Sequence, residues 1–196
     1  MGLRAEYIDY INTNIVDVFG GIEGIRMLEL GNQRLHDGCV TESTGKQYYK
    51  NRGVEHVSVD INGLDGAVVA DLRKTKDFTR WVAHFDVVTN SGTTEHVEPH
   101  ASQFECFANI HNCLRPGGIS IHLVPDADAH DTAGAWRGHC SNLYSPDFFH
   151  TLADLNHYNV LSLAHMRGLV CCCVRKMRMG PFTSDRETFL RAIDRR

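Results

Sequence analysis

The stretch Met27-Leu28-Glu29-Leu30-Gly31-Asn32-Gln33, followed by Val57-Ser58-Val59-Asp60, decides the fold. One apolar strand breaks at Gly31, and a second ends on Asp60 roughly thirty residues later. A glycine at a strand end lets the backbone turn tightly and approach a ligand where a Cβ would obstruct it. A carboxylate on the neighbouring strand end accepts two hydrogen bonds from a ribose diol. Open α/β sheets hold nucleosides in this crevice, beyond the carboxyl ends of their strands.

Working outward, Ile8, Ile11, Ile15 and Val18-Phe19 recur at helical spacing, so an amphipathic helix is predicted within residues 1–20, ended by Gly20-Gly21. Ile25 to Leu30 is the first strand. Ser43 or Thr44 caps a helix carrying Tyr48 and Tyr49 that ends near Gly53. Val54 to Asp60 is a second strand, Ala67 to Ala70 a short third, and Thr75 to Ala83 a helix with Phe78, Trp81 and Val82 on one side. Phe85-Asp86-Val87-Val88-Thr89-Asn90 forms a fourth strand. Phe104, Phe107, Ala108 and Leu114 mark the next helix, Arg115-Pro116-Gly117-Gly118 closes it with a turn, and Ile119 to Val124 is a fifth strand. Ser145-Pro146-Asp147 starts a helix, with serine as cap and proline in its first turn.

Two last strands, about Asn159 to Ala164 and Leu169 to Val174, are joined by a tight connection at Arg167-Gly168 and form an antiparallel hairpin at one edge. Strand–helix alternation before them predicts a mostly parallel, seven-stranded α/β sheet with helices on both faces. Nothing resembles a linker or a repeat, so residues 1–196 are read as one domain.

With 42% hydrophobic and 22% charged residues, the chain can build a full core. Its formal charge of -4 gives no basic field to steer a nucleic acid or an anionic membrane surface, and neither is an expected partner. The basic tracts Arg175-Lys176-Met177-Arg178 and Arg191 to Arg196 read as a solvated face and a frayed tail. Seven cysteines are an odd number, and Cys171-Cys172-Cys173 sit inside an apolar strand as small buried hydrophobes. No CxxC pair or secretory segment is present, so a reducing cytoplasm is the expected compartment. No apolar run reaches the length of a membrane span. The 12 histidines are scattered and predicted mostly on the surface.

The strand ends assemble a site. Asp71 is placed to accept from an exocyclic adenine amine, and Asn90 and Ser91 lie where the reacting end of a cofactor would point. This ordered set resembles the class I S-adenosylmethionine-dependent methyltransferases, with their Rossmann-like fold, from about Arg26 to Val174. The resemblance rests on Leu28-Glu29-Leu30-Gly31, Asp60, Ala70-Asp71-Leu72, Phe85-Asp86-Val87-Val88, Thr94-Glu95-His96-Val97 and Leu114-Arg115-Pro116-Gly117-Gly118. It implies S-adenosylmethionine as cofactor, held by Glu29, Gly31, Asn32, Asp60, Ile61, Asp71, Leu72, Asn90 and Ser91. The family commonly has two further glycines after the first strand, where this chain has Asn32 and Gln33.

Methyl transfer needs mainly orientation, which accounts for roughly 7–11 kcal/mol of a barrier. A base is required when the acceptor arrives protonated, and His96 is the nearest candidate catalytic residue. The long connection 125–144 is the expected acceptor loop, with Trp136, Arg137 and His139 joining Glu95 as substrate-binding residues. Asp126, Asp128 and His130 alternate as on an extended segment, but they lack strict ligand spacing and no metal is expected.

A small-molecule acceptor is the expected partner, because Asn90-Ser91-Gly92-Thr93 lacks the Pro-Pro clamp found in enzymes that methylate planar amines. Two alternatives stand beside methyl transfer. One is a noncatalytic relative that binds a nucleoside or a partner protein. The other is an NAD-dependent oxidoreductase, which the single glycine of the turn disfavours. The exposed edge of the last hairpin offers a surface for a homodimer.

Overall fold

The computed structural model describes residues 2–36, 41–129 and 138–195. Helix α1 (Ala5–Phe19) buries Ile8, Ile11 and Ile15 and stops at Gly20, whose left-handed backbone returns its N–H to Val16. Strand β1 (Arg26–Leu30) leads to helix α2 (Gly45–Lys50). Of the two candidate caps, Thr44 is the one used: its side chain accepts from the Gln47 N–H. Strands β2 (Glu55–Asp60), β3 (Val68–Val69) and β4 (Phe85–Ser91) follow, then helix α3 (Gln103–Cys113) and strand β5 (Leu114–Pro125). Strand β6 (Asn142–Leu143), helix α4 (Pro146–Asn156), strands β7 (Tyr158–Met166) and β8 (Leu169–Lys176), helix α5 (Arg186–Arg191) and strand β9 (Asp194–Arg195) complete the chain.

The main sheet has the order β3-β2-β1-β4-β5-β8-β7. Its first five strands run parallel, and β8 enters antiparallel between β5 and β7. This is the class I methyltransferase arrangement. The cysteine run of β8 alternates between two cores, as strand geometry requires. Cys171 and Cys173 face α1 and α2, while Val170, Cys172 and Val174 face the side covered by α3 and α4. Cys106, Cys113, Cys171, Cys172 and Cys173 are free and buried.

Four expectations are corrected. Thr75 to Ala83 is not a helix but two three-residue 3-10 turns, and Val82 is exposed. Both ends are tied elsewhere, Lys74 N–H to Asp71 and Ala83 N–H to Asn112 with Ala83 at φ 50, so no α-helical ladder fits between them. The Arg115-Pro116-Gly117-Gly118 turn lies inside β5 as a bulge between the Phe85–Leu114 and Val87–Ile119 pairs. The C-terminal tract is not a frayed tail, because Phe189 is buried and β9 pairs antiparallel with β6. Lys176 does not join a solvated face. Its buried Nζ donates to the carbonyls of His111 (2.8 Å) and Leu114 (3.0 Å), capping α3.

Beneath the sheet's amino ends, Asp86 accepts from the backbone N–H of Arg26 (2.8 Å), from its guanidinium (3.1 Å) and from Arg115. Against the opposing effect of burial, these partners hold its carboxyl down at about 2. This bridge fixes β1 against β4 at the end opposite the crevice.

Candidate functional site

A cavity of about 470 Å³ opens at the carboxyl ends of β1, β2 and β4. It is lined by Gly31, Asn32 and Gln33 after β1, Asp60 and Ile61 after β2, and Asp71 and Leu72 after β3, with His96 on the far side. Gly31 turns at φ 75, and a Cβ there would lie 2.6 Å from Thr93 Oγ1 and 2.9 Å from Gln33 Nε2. Both side chains fold back over the turn. Thr93 Oγ1 donates to the Leu30 carbonyl at 2.9 Å, and Gln33 Nε2 donates to that carbonyl and to Thr93 Oγ1, each at 3.4 Å. Gln33 thus packs its amide over the turn.

Asp60 spans the crevice mouth. Its carboxylate accepts the backbone N–H of Asn32 at 3.2 Å and of Asn62 at 3.0 Å, which shapes the turn and leaves further lone pairs for a diol. Asp71 carries more partners: Arg73 through paired contacts at 2.9 and 2.8 Å, and Lys74 at 3.3 Å. The Arg73 guanidinium, with Lys74 beside it, keeps this carboxyl well below the usual carboxylate range. Any amine donor from a ligand shares Asp71 with these two cations.

Four expected site residues lie behind the cavity wall rather than in it. Glu29 projects toward α2, where a Cβ on Gly45 would collide with its carboxylate, and its Oε1 accepts the Gln33 N–H at 3.2 Å. It supports the turn from below. Asn90 is buried between Thr94 (2.8 Å) and His122 (3.1 Å) and accepts the Thr94 N–H at 3.2 Å. Ser91 is buried beside it, its hydroxyl meeting no hydrogen-bond partner among the described residues. Glu95 is wholly buried. Strand alternation and the turn after β4 send these side chains inward, which spacing along the chain does not reveal.

The turn Thr94–His96 is clamped from several directions. Gln103 of α3 donates to the carbonyls of Thr94 (2.7 Å) and Val97 (2.9 Å), and Tyr144 Oη bonds Gln103 at 2.8 Å. Asn142 donates to the carbonyls of Glu95 and Val97 at 3.1 Å and is itself held by His100 at 2.8 Å. Held this way, Glu95 points both carboxyl oxygens into a space where, among the described residues, neither meets a hydrogen-bond donor. Burial pushes its pKa up to about 7. His96 Nε2 stands 3.7 Å from Glu95 Oε1, and its ring lies edge-on to His139 at 5.0 Å between centroids. Burial, followed by the neighbouring His139, lowers the pKa of His96.

His139 packs edge-on against His96 without lining the cavity, while Trp136, Arg137 and His130 lie outside the described residues. Asp126 is buried and engaged by His165 Nδ1 at 2.6 Å, and it accepts the Asp128 N–H at 2.9 Å. Among the described residues no three metal-ligating side chains converge. Sequence reading missed Gln33, Thr93 and Arg73 at the cavity, and His165. Gln33 and Arg73 adjoin motifs that were recognised, so neighbourhood was the available signal. His165 sits in an ordinary strand pattern with no signal at all. His56, His100, His111 and His122 are buried, supporting packing rather than the surface.

The methyltransferase domain family model matches residues 6–164. The chain belongs to this family. The methyltransferase-family chain is similar to several solved structures. One is a 1,6-didemethyltoxoflavin-N1-methyltransferase from Burkholderia thailandensis with 1,6-didemethyltoxoflavin and S-adenosylhomocysteine bound (TM-score 0.57, 14% identity, covering 91% of this chain and 92% of that one). Another is the N-methyltransferase NodS from Bradyrhizobium japonicum in complex with S-adenosylhomocysteine (TM-score 0.60, 12% identity, 89% and 88% covered). A third is a SAM-dependent methyltransferase from Archaeoglobus fulgidus (TM-score 0.60, 15% identity, 88% and 94% covered). Identities this low carry the fold and leave the acceptor to be argued. No curated protein matches this methyltransferase-family chain significantly.

Proposed function

We propose that the chain is an S-adenosylmethionine-dependent methyltransferase of a small-molecule acceptor. The observation that carries this reading is the convergence of Gly31, Asp60, Asp71 and His96 on one cavity of about 470 Å³. That volume suits a small ligand. In this reading Asp60 holds the ribose, Ile61 and Leu72 flank the base, Asp71 accepts from its exocyclic amine, and Gly31 with Asn32 passes the methionine tail. When bound, the cofactor supplies an activated methyl group on a sulfonium. His96 faces the reacting end and takes the acceptor's proton, with His139 packed beside it and the buried Glu95 behind it. The neighbour with 1,6-didemethyltoxoflavin bound and the N-methyltransferase NodS are consistent with this substrate class.

A second reading, a noncatalytic nucleoside-binding or partner-binding relative, is favoured by one feature: Gln33 packs its amide over the turn, where the family commonly has glycine. Calorimetry separates the two. S-adenosylmethionine and S-adenosylhomocysteine are expected to bind at micromolar concentrations and NAD not at all. Asp60→Ala is expected to weaken binding at least about tenfold, or about 1.4 kcal/mol. Tight binding without methyl transfer to any acceptor would favour the noncatalytic relative. Failure to bind either nucleoside would remove the methyltransferase reading.

A further inference from the structure

We propose that Glu95 and His96 form a proton-accepting pair, and that the acceptor is a hydroxyl or amine that must release a proton to be methylated. The inference rests on the methyltransferase reading and deepens it. A wholly buried carboxylate with neither oxygen hydrogen-bonded among the described residues is a costly feature, since buried charge normally finds a partner. Here the fold holds it deliberately, for the Glu95 carbonyl is gripped by Asn142 at 3.1 Å and by the Ser141 N–H at 3.3 Å. The turn therefore has no freedom to swing the carboxylate out to water.

Among the described residues, the basic side chain that faces this carboxylate is His96, with Nε2 at 3.7 Å, and it both lines the cavity and is 43% exposed. A carboxylate behind an imidazole selects the tautomer with hydrogen on the nearer nitrogen, which leaves Nδ1 as the basic atom. The acceptor's lone pair then forms the new bond to the methyl carbon, and the pair of the broken carbon–sulfur bond stays on sulfur. The acceptor's proton passes to His96 Nδ1, and the Nε2 proton moves to, or is shared with, Glu95. Charge balances without any further reactant. A thioether or tertiary amine would release no proton and would leave this pair without a role.

The other titratable groups near the pair are His139, within the 125–144 connection and against His96, and Tyr144, which neighbours Glu95 and, on its other sides, Cys140 and Cys106 of α3. Burial keeps Tyr144 and Cys106 protonated through the neutral range. Glu95 acts through His96, so it is a positioning residue in this scheme.

The test uses the full chain with Glu95→Gln, Glu95→Asp and His96→Asn, after calorimetry has shown that each binds S-adenosylmethionine. In protein labelled at histidine, NMR follows the His96 titration. Glu95→Gln removes the carboxylate and is expected to lower the His96 pKa by roughly half a unit or more, and Glu95→Asp to restore part of it. Methyl transfer is then assayed against phenol, primary-amine and thioether probes. Turnover is expected only with the first two, and Glu95→Gln is expected to lower kcat roughly 100-fold with little change in KM. A His96 titration unchanged in Glu95→Gln, or turnover confined to the thioether, would overturn the pair. Absence of cofactor binding by the unaltered chain would instead overturn the methyltransferase reading, which the titration does not depend on.

Discussion

Thr93 donates a 2.9 Å hydrogen bond to the carbonyl of Leu30, latching the loop after β4 onto the glycine turn of β1. The latch explains why position 31 must be glycine. Its φ of 75 already disfavours a side chain, and an added methyl would sit 2.6 Å from the Thr93 hydroxyl. Gly31→Ala is expected to lower stability by about 1–3 kcal/mol and to weaken S-adenosylmethionine binding. Adding Thr93→Ala should recover part of both, read by thermal melting and calorimetry. No recovery in the double variant would mean that backbone strain alone sets the requirement.

Asp86 governs the acid limit of stability. Its folded pKa of about 2 lies below the ordinary carboxylate value because Arg26 and Arg115 stabilise the charged form. A depressed carboxyl contributes stability above its unfolded pKa, so this contribution is complete above about pH 4 and is lost as pH falls toward 2. Asp86→Asn should cost about 1–3 kcal/mol at pH 7, with the difference from the unaltered chain vanishing near pH 2. Urea titrations across that range measure it, and a difference independent of pH would contradict the assignment.

Glu95 is expected to behave in the opposite sense. Its folded pKa of about 7 lies above the unfolded value, so ionisation opposes folding and stability falls as pH rises from about 4.5 to 7. Glu95→Gln should therefore be more stable than the unaltered chain at pH 8, by up to about 3 kcal/mol, and equal to it near pH 4. Denaturant unfolding at the two pH values decides the matter. Destabilisation at both would mean that the carboxylate has a structural partner.

Gln103 carries the clamp on the Thr94–His96 turn, donating to two carbonyls and accepting from Tyr144. Gln103→Leu leaves those buried groups unpaired and should cost about 3 kcal/mol. Amide hydrogen exchange within residues 94–97 should accelerate while β1 remains protected. Uniform acceleration across the sheet would show that Gln103 serves the whole core instead.

Much of the architecture was legible because it follows from local pattern. The alternating Leu169 to Val174 run, the Ser145-Pro146 helix start and the Leu30-Gly31 break each express a rule that acts within a few residues. The Thr75 to Ala83 segment was misread because its apolar spacing suits a helix, while its ends are anchored to Asp71 and Asn112. The C-terminal pairing of β9 with β6 joins residues some fifty positions apart, beyond the reach of any local pattern.

The sequence by itself determined the succession of the seven main-sheet strands and which residues stand at their ends, because periodicity and turn chemistry are properties of short segments. Only the tertiary structure decided which of those end residues face the cavity. Asp60 and His96 line it, while Glu29, Asn90 and Glu95 turn into the protein, since direction depends on what packs against each side chain. Burial of Glu95 beside His96 comes from the same source: dehydration of a carboxylate is imposed by distant chain folded around it, and no neighbour in sequence announces it.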